Sequence, residues 1–451
     1  MDDIKLAFET LRTKAAIYNR LWDYYDGNQE LVYSSERLRE AFSSLNARFS
    51  LNWCGLVVDA VLERMEFKQW TVAQDEGATQ RLNAWWDASG MNLDADDLEL
   101  CLLVTGEAFV IAWDEGNGLE AFYNDSRLVA VFYESANPRQ KRMAAKMWEA
   151  DDGGARLTLY YPDRLVYLGS NKKLKDITNH RAFLPLSDVE DGAVDEAANM
   201  LGMVPVWHFR REQRAIKSEL GPSVLDIQDA INKLLADMMV ASEYGAFKQR
   251  YIISQADVGS LKNAPNEIWD IPAGDGLGQD TSVGEFSNTD LANFMGQIEK
   301  LSTAVASMTR TPLYYFFLGA RADPSGETLY GMDGPLVKKA QKYIKRLKAE
   351  WRQFGAFMAA MIGVDAAIGD IQVEYDNPHA LQPLTAAQTR KTNRDAGMPL
   401  TTQLRREGWT PQELAGLADD IDTEQQAAQT SLAVALLNQQ RQFDAGGGVD
   451  A

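Results

Sequence analysis

Along the first quarter of the chain, apolar residues recur at three- and four-residue steps. Phe8, Leu11, Ala15, Tyr18, Trp22 and Tyr25 mark one helical face up to the break YYDGNQ, where Gly27 and Asn28 favour a turn. NWCGLVVDAVLERM and QRLNAWWDASG predict two further helices, the second closed by Gly90, which suits a left-handed cap. From Leu102 to Phe209 the rhythm shortens to alternating, β-branched and aromatic runs: EAFVIAW, RLVAVFYES, AAKMWEA, RLTLYYPDRLVYL and VPVWHFR. Turn residues at DEGNG, ANPRQ and DDGG separate them, which predicts a mostly antiparallel β region. The stretch from Gly169 to Leu201, rich in Asn, Asp and Gly, reads as a mobile loop.

Helices return at GPSVLDIQDAINKLLADMMVASEYGAFKQ, with Ser223 as the expected cap. Val224, Ile227, Ile231, Leu234, Leu235, Met238 and Met239 form a wide apolar stripe there. RYIIS and EIWDIP are short strand candidates around the glycine-rich AGDGLGQD. Ser287 and Asp290 are spaced as a capping box for a helix running through Leu291, Phe294, Met295, Ile298, Leu301 and Val305 to about Met308. TRTPLYYFFLGARADPSGETLYG then breaks the pattern with bare aromatics between Pro312 and Pro324. From Leu329 to Met361 the period is strongest: Leu336, Ala340, Tyr343, Ile344, Leu347, Trp351, Phe354, Met358 and Met361 share one arc. Lys338, Lys339, Lys342, Lys345, Arg346, Lys348 and Arg352 take the other half, with Glu350 the one acid among them. IQVEYDNP reads as a late strand, and Thr385 to Phe443 as helical and Gln/Ala-rich.

Composition adds bounds to this α+β pattern. With 451 residues, 45% of them hydrophobic, the chain can build a sizeable core in two to three lobes. No apolar run reaches the ~18 residues of a membrane span, and MDDIKLAFET lacks the features of a signal peptide, so a cytosolic product without a membrane partner is expected. Cys54 and Cys101 sit in apolar surroundings and read as buried free thiols. A formal charge of -20 argues against a protein that coats nucleic acid, because such binding neutralises phosphates with Lys and Arg. The basic helix face therefore has two readings: a solvated face among acidic neighbours, or contact with a polyanion.

Motifs for chemistry are missing. There is no G-x-x-x-x-G-K-[ST] phosphate loop, GDGLGQ lacks the strand–turn–helix context of a dinucleotide site, and no metal-ligand spacing occurs. His180, His208 and His379 stand alone, and His208, in an alternating strand, reads as structural. Neither catalysis nor a cofactor nor a metal is expected.

The order of the elements is more informative than any one of them. YYDGNQ, NWCGLVVDAVLERM, TGEAFVIAW, LTLYYPDRLVYL, VPVWHFR, GPSVLDIQDAINKL and TRTPLYYFF...PSGETL follow one another in an order that resembles the portal, or head-to-tail connector, proteins of long-tailed bacteriophages. That resemblance implies a mainly helical α+β subunit with a β-rich wing layer, two stem helices, a small β clip, a long wing helix and a helical crown. In these terms 1–218 is wing, 219–250 stem helix 1, 251–287 clip, 288–310 stem helix 2, 311–327 channel loop, 328–383 wing and 384–451 crown.

The resemblance also implies a cyclic ring of about twelve copies. The ring would be a DNA conduit at one vertex of the virion, assembled in the host cytoplasm. Its implied partners are double-stranded DNA, a packaging terminase, head-completion or tail adaptors, and capsid and scaffolding proteins. Channel-loop candidates are Pro312, Tyr314, Tyr315, Phe316, Phe317, Arg321, Pro324, Ser325 and Gly326. DNA-facing candidates are Lys338, Lys339, Lys342, Lys345 and Arg346, and clip candidates are Tyr251, Ile253, Trp269 and Ile271. PSGETL departs from the family pattern by carrying Glu327 and Thr328 before the long helix, and the connector is more aromatic than a typical channel loop. A phage DNA-processing or capsid-associated enzyme and a non-viral acidic scaffold are the alternative readings.

Overall fold

Helix α1 (Asp3–Tyr25) presents Ala7, Phe8, Leu11, Tyr18, Leu21 and Tyr24 inward. The expected stripe holds as far as Tyr18 and then shifts by one residue, so Leu21 and Tyr24 are buried where Trp22 and Tyr25 were expected. The computed structural model describes residues 3–30, 51–114, 119–212, 215–246, 250–253, 282–285, 290–316, 326–378 and 383–407, with scattered positions from 409 to 426. The chain divides into two compact units, Met1–Val373 and Glu374–Ala451.

Asn52 caps α2 (Trp53–Leu62) by accepting from the Gly55 amide at 3.0 Å. Strand β1 (Phe67–Val72) follows, one that the sequence pattern did not predict, and then α3 (Glu76–Ala88). The Asn83 amide on α3 donates to and accepts from the Trp70 backbone at 2.9 Å in each direction, locking strand to helix. Gly90 has φ +76°, and α4 (Met91–Thr105) leaves it at once. Gly106, at φ +91°, ends α4; a Cβ there would lie 2.7 Å from the Lys217 backbone, so position and conformation both require glycine.

Two antiparallel sheets form the β layer. The smaller joins β2 (Glu107–Asp114) to β3 (Leu119–Asn124), with β10 (Val206–Arg210) on its other edge. The larger runs through β4 (Val129–Tyr133), β5 (Lys141–Glu149), β6 (Ala155–Tyr160), β7 (Arg164–Ser170) and β8 (Leu184–Pro185), with β9 (Glu196–Ala198) also on β7. Alternation sorts its side chains. Ala145, Met147, Leu157 and Leu159 pack under Phe8 and Leu11 of α1, while Ala144, Tyr160 and Leu165 face Phe109 and Ile111 of the smaller sheet. DDGG makes the β5–β6 turn, with Gly153 at φ +78°; the DEGNG glycines lie outside the described residues.

The expected loop from Gly169 to Leu201 is instead folded onto the sheet edge. Three 3-10 turns and two short strands occupy it, and Ile177 and Phe183 are buried beneath α1 and the sheet. Its few apolar residues are spaced too widely to show a period; Ile177 and Phe183 are covered, while Leu184, Val194 and Met200 stay exposed.

The sheets feed the helical part through α5 (Pro222–Ala246). Pro222 occupies the first helical position and the Gly221 carbonyl accepts from Val224 and Leu225, so Ser223 lies inside the first turn and does not cap it. α5 packs against α6 (Ala292–Thr309). Between them β11 (Arg250–Ile253) and β12 (Ser282–Glu285) pair antiparallel. Asp290 accepts from the Ala292 amide at 2.9 Å, and Ser287 lies outside the described residues.

α7 (Gly326–Met361) is the longest element, and it begins early enough to include Glu327 and Thr328. Its Trp351 sits at the centre of an aromatic core with Phe209 at 4.4 Å, Trp86 at 5.2 Å and Trp70 at 6.2 Å. Gly355 is the glycine this packing requires, since a Cβ there would lie 2.3 Å from the Trp70 ring. Met361, expected in the apolar arc, is 44% exposed. β13 (Ile371–Tyr375) pairs with β1. In the second unit, α8 (Pro383–Asp395) and α9 (Leu400–Arg406) are tied by Arg390, whose Nε donates to Glu407 at 2.9 Å.

Both cysteines are free and fully buried. Among the described residues no helix is long and apolar enough to cross a membrane, and no group of His, Cys, Asp or Glu is placed to hold a metal ion.

Candidate functional site

The chain passes three times through one junction: on the approach to α5, at the end of α6, and in the first half of α7. Helix α6 closes when Arg310 turns left-handed at φ +58°, its amide bonded to the Ala306 carbonyl. Pro312 cannot continue a helix, and Leu313–Phe316 instead form a 3-10 turn.

That turn is anchored by every aromatic it carries. Phe316 is buried edge-on against Trp53, with ring centroids 5.2 Å apart. Tyr314 and Tyr315 stack at 4.8 Å. The Tyr314 hydroxyl donates to Asp333 at 2.6 Å, and Arg64 donates to the other oxygen of Asp333 at 2.9 Å and to the Tyr315 hydroxyl at 3.3 Å. The connector's aromatics thus fasten α6 to α2 and α7 within one subunit. Pro312, Tyr314, Tyr315 and Phe316 are the root of the connector, Gly326 opens α7, and Phe317, Arg321, Pro324 and Ser325 lie outside the described residues.

A second fastening lies beside the first. Glu219, just before α5, is almost fully buried and accepts from Lys339 at 3.0 Å, Tyr343 at 2.7 Å and Arg211 at 3.0 Å. Lys339 also donates to the Thr309 carbonyl at 2.6 Å, so it caps the last turn of α6 with a positive charge. Burial pushes the Glu219 carboxyl up, but the Lys339 and Arg211 charges outweigh it and hold the group below the usual carboxylate range. Burial pulls the Lys339 amine down against the attraction of Glu219.

Lys339 therefore leaves the set of DNA-facing candidates, because its charge is spent inside the subunit. The wheel carried the signal: Lys339 lies one turn before Tyr343, at the margin of the apolar arc. Glu219, in the unremarked KSELGP, carried none. The other four basic candidates, Lys338, Lys342, Lys345 and Arg346, are exposed. Lys342, Lys345 and Arg346 line an open groove of about 680 Å³ with Arg211 and Glu212.

Of the clip candidates, Tyr251 stands opposite Gly284 and Ile253 opposite Ser282 in the β11–β12 ladder. Trp269 and Ile271 lie outside the described residues.

A third buried network holds α1 on the β layer. Glu107 on β2 accepts from Lys14 at 2.5 Å, Tyr18 at 2.6 Å and His208 Nε2 at 2.7 Å. Since a carboxylate only accepts, Nε2 carries the proton, and neutral His208 receives the Tyr133 hydroxyl at Nδ1, 3.0 Å away. Burial pushes Glu107 up, but the His208 hydrogen bond and the Lys14 charge outweigh it and hold it at about 2. Burial dominates at His208 and pushes it down to about 4 despite the pull of Glu107. These contacts lock helices to sheets and helices to one another, which is mechanical fastening.

Residues 11–429 match the family model described as "Phage portal protein, SPP1 Gp6-like". The chain is 22% identical over 324 residues to the portal protein of Mycobacterium phage L5, a match covering 66% of this chain and 62% of that protein. It is 22% identical over 368 residues to the portal protein of Mycobacterium phage D29, covering 73% of this chain and 71% of that one. The chain thus spans less than two thirds of the L5 protein's length. Among solved structures, a chain of the "Neck of empty GTA particle computed with C6 symmetry" superposes with a TM-score of 0.43 at 12% identity, over 84% of this chain and 95% of that one.

Proposed function

Because this chain belongs to the SPP1 Gp6-like family of phage portal proteins, we propose that its copies close into a ring at one vertex of a phage head. The ring is the structural conduit through which double-stranded DNA is packaged, retained and released. The family match over 11–429 carries this reading. The state of α5 and α6 supports it. Leu234, Leu235, Met238 and Met239 are only half-buried by their own subunit, and Met295 and Met308 are 47% and 48% exposed. A heterologous contact repeated around a closed ring would cover such surface. The net charge of -20 per copy suits a passage along which the duplex slides without sticking.

In this reading α5 and α6 are the stem, the β11–β12 pair belongs to the clip that meets terminase and later the tail adaptors, and the connector is the channel loop. The anchored turn Leu313–Phe316 is its rigid base, and in this reading contact with passing DNA falls to residues beyond Phe316. Replacing residues 317–323 with a Gly/Ser linker is expected to leave rings intact and to lower the yield of particles holding full-length DNA. Wild-type yields from this variant would remove the loop from the mechanism.

A further inference from the structure

Several described cations in this chain have a carboxylate of their own, among them Lys14, Arg64, Arg142, Arg156, Lys233 and Lys339. Among the described residues Lys342, Lys345 and Arg346 make no ion pair, although the chain holds 65 acidic residues against 45 basic ones. They line one side of a groove whose other wall is Arg211 and Glu212, and Arg211 is already committed to Glu219.

We propose that this groove seats a carboxylate-bearing segment of the next copy in the ring, an inference that rests on the ring reading above. Copies with a net charge of -20 repel one another, so closing a ring of them calls for local complementarity at the contact. A heterologous contact joins two different patches, and the groove is the basic one of such a pair. Its surroundings favour protein over nucleic acid. Toward the start of α7 a second groove is lined by Pro312, Leu313, Met332 and Pro335 together with Arg310 and Lys338, and Met332 is 47% exposed. Apolar side chains set among Arg and Lys suit a protein interface, whereas a phosphate-tracking surface draws its affinity from the cations and gains nothing from the exposed apolar groups.

Two measurements test this. In rings assembled from mixed ¹⁴N- and ¹⁵N-labelled subunits, a zero-length carbodiimide is expected to join Lys342 or Lys345 to carboxylates of a differently labelled copy. The variant K342E/K345E/R346E, monitored by circular dichroism to verify its fold, is expected to need about tenfold more protein to form rings, with K342Q/K345Q/R346Q falling between. Cross-links confined to one copy, or rings that form as readily in the charge-reversed variant while DNA packaging falls, would overturn the contact and return the groove to nucleic acid. Wild-type subunits that never close would overturn the ring reading and the contact together.

Discussion

Glu219→Leu is expected to lower the unfolding free energy by about 3–5 kcal/mol, because it strands the buried Lys339 charge and leaves the Tyr343 hydroxyl without its acceptor. Three segments lose their common tie at once: the approach to α5, the end of α6 and the first half of α7. Removing both charges with Glu219→Leu/Lys339→Met should recover most of that loss, since the costly state is the unpaired ion. Urea denaturation at matched protein concentration reads both values, the matching being needed because assembly adds to apparent stability. If the double variant is no better than the single one, the pair is not coupled as its geometry implies.

The network at Glu107 sets the second large effect, and its signature is pH. His208 is held neutral in the fold, with its titration pushed from 6.5 down to about 4. Above pH 6.5 the stability it contributes is fully present; between 6.5 and 4 the unfolded chain takes up a proton that the folded one refuses, and stability falls. The loss approaches about 1.4 kcal/mol per pH unit within that window. Glu107, held at about 2 against an ordinary 4.5, adds a further loss between those values. Glu107→Leu should destabilise the subunit at neutral pH by about 3 kcal/mol, because buried Tyr18 and His208 lose their acceptor while Lys14 can still reach water. His208→Asn should flatten the profile between pH 6.5 and 4, and an unchanged slope in that variant would assign the acid sensitivity elsewhere.

Periodicity made the frame legible. The stripe of α1 as far as Tyr18, the long arc of α7 around Trp351 and the β runs from EAFVIAW to VPVWHFR are each visible without any partner, because one element's apolar face repeats with its own geometry. What stayed hidden depends on contacts between distant residues. The sequence could not show that Asp333 waits for Tyr314 and Arg64, or that Trp53 covers Phe316, so the connector reads there only as bare aromatics in a channel loop. Lys339 looked like one more lysine on a basic face until Glu219 supplied its reason to be buried. β1 escaped notice because FKQWTV depends on Asn83 and β13 for its pairing.

The same contacts decide how the connector works in the proposed conduit. A loop fastened at Phe316 and Asp333 passes force on its tip directly to α2 and α7, and the Glu219–Lys339 tie brings the end of α6 and the approach to α5 into the same body. Movement of the loop therefore requires either a hinge beyond Phe316 or displacement of this whole junction.

The central claim is the ring, and imaging purified wild-type subunits by electron microscopy at micromolar concentration in assembly-permissive buffer tests it most directly. The account predicts closed rings of about twelve copies with an open centre, wide enough for a duplex. A field containing only monomers and dimers would contradict it.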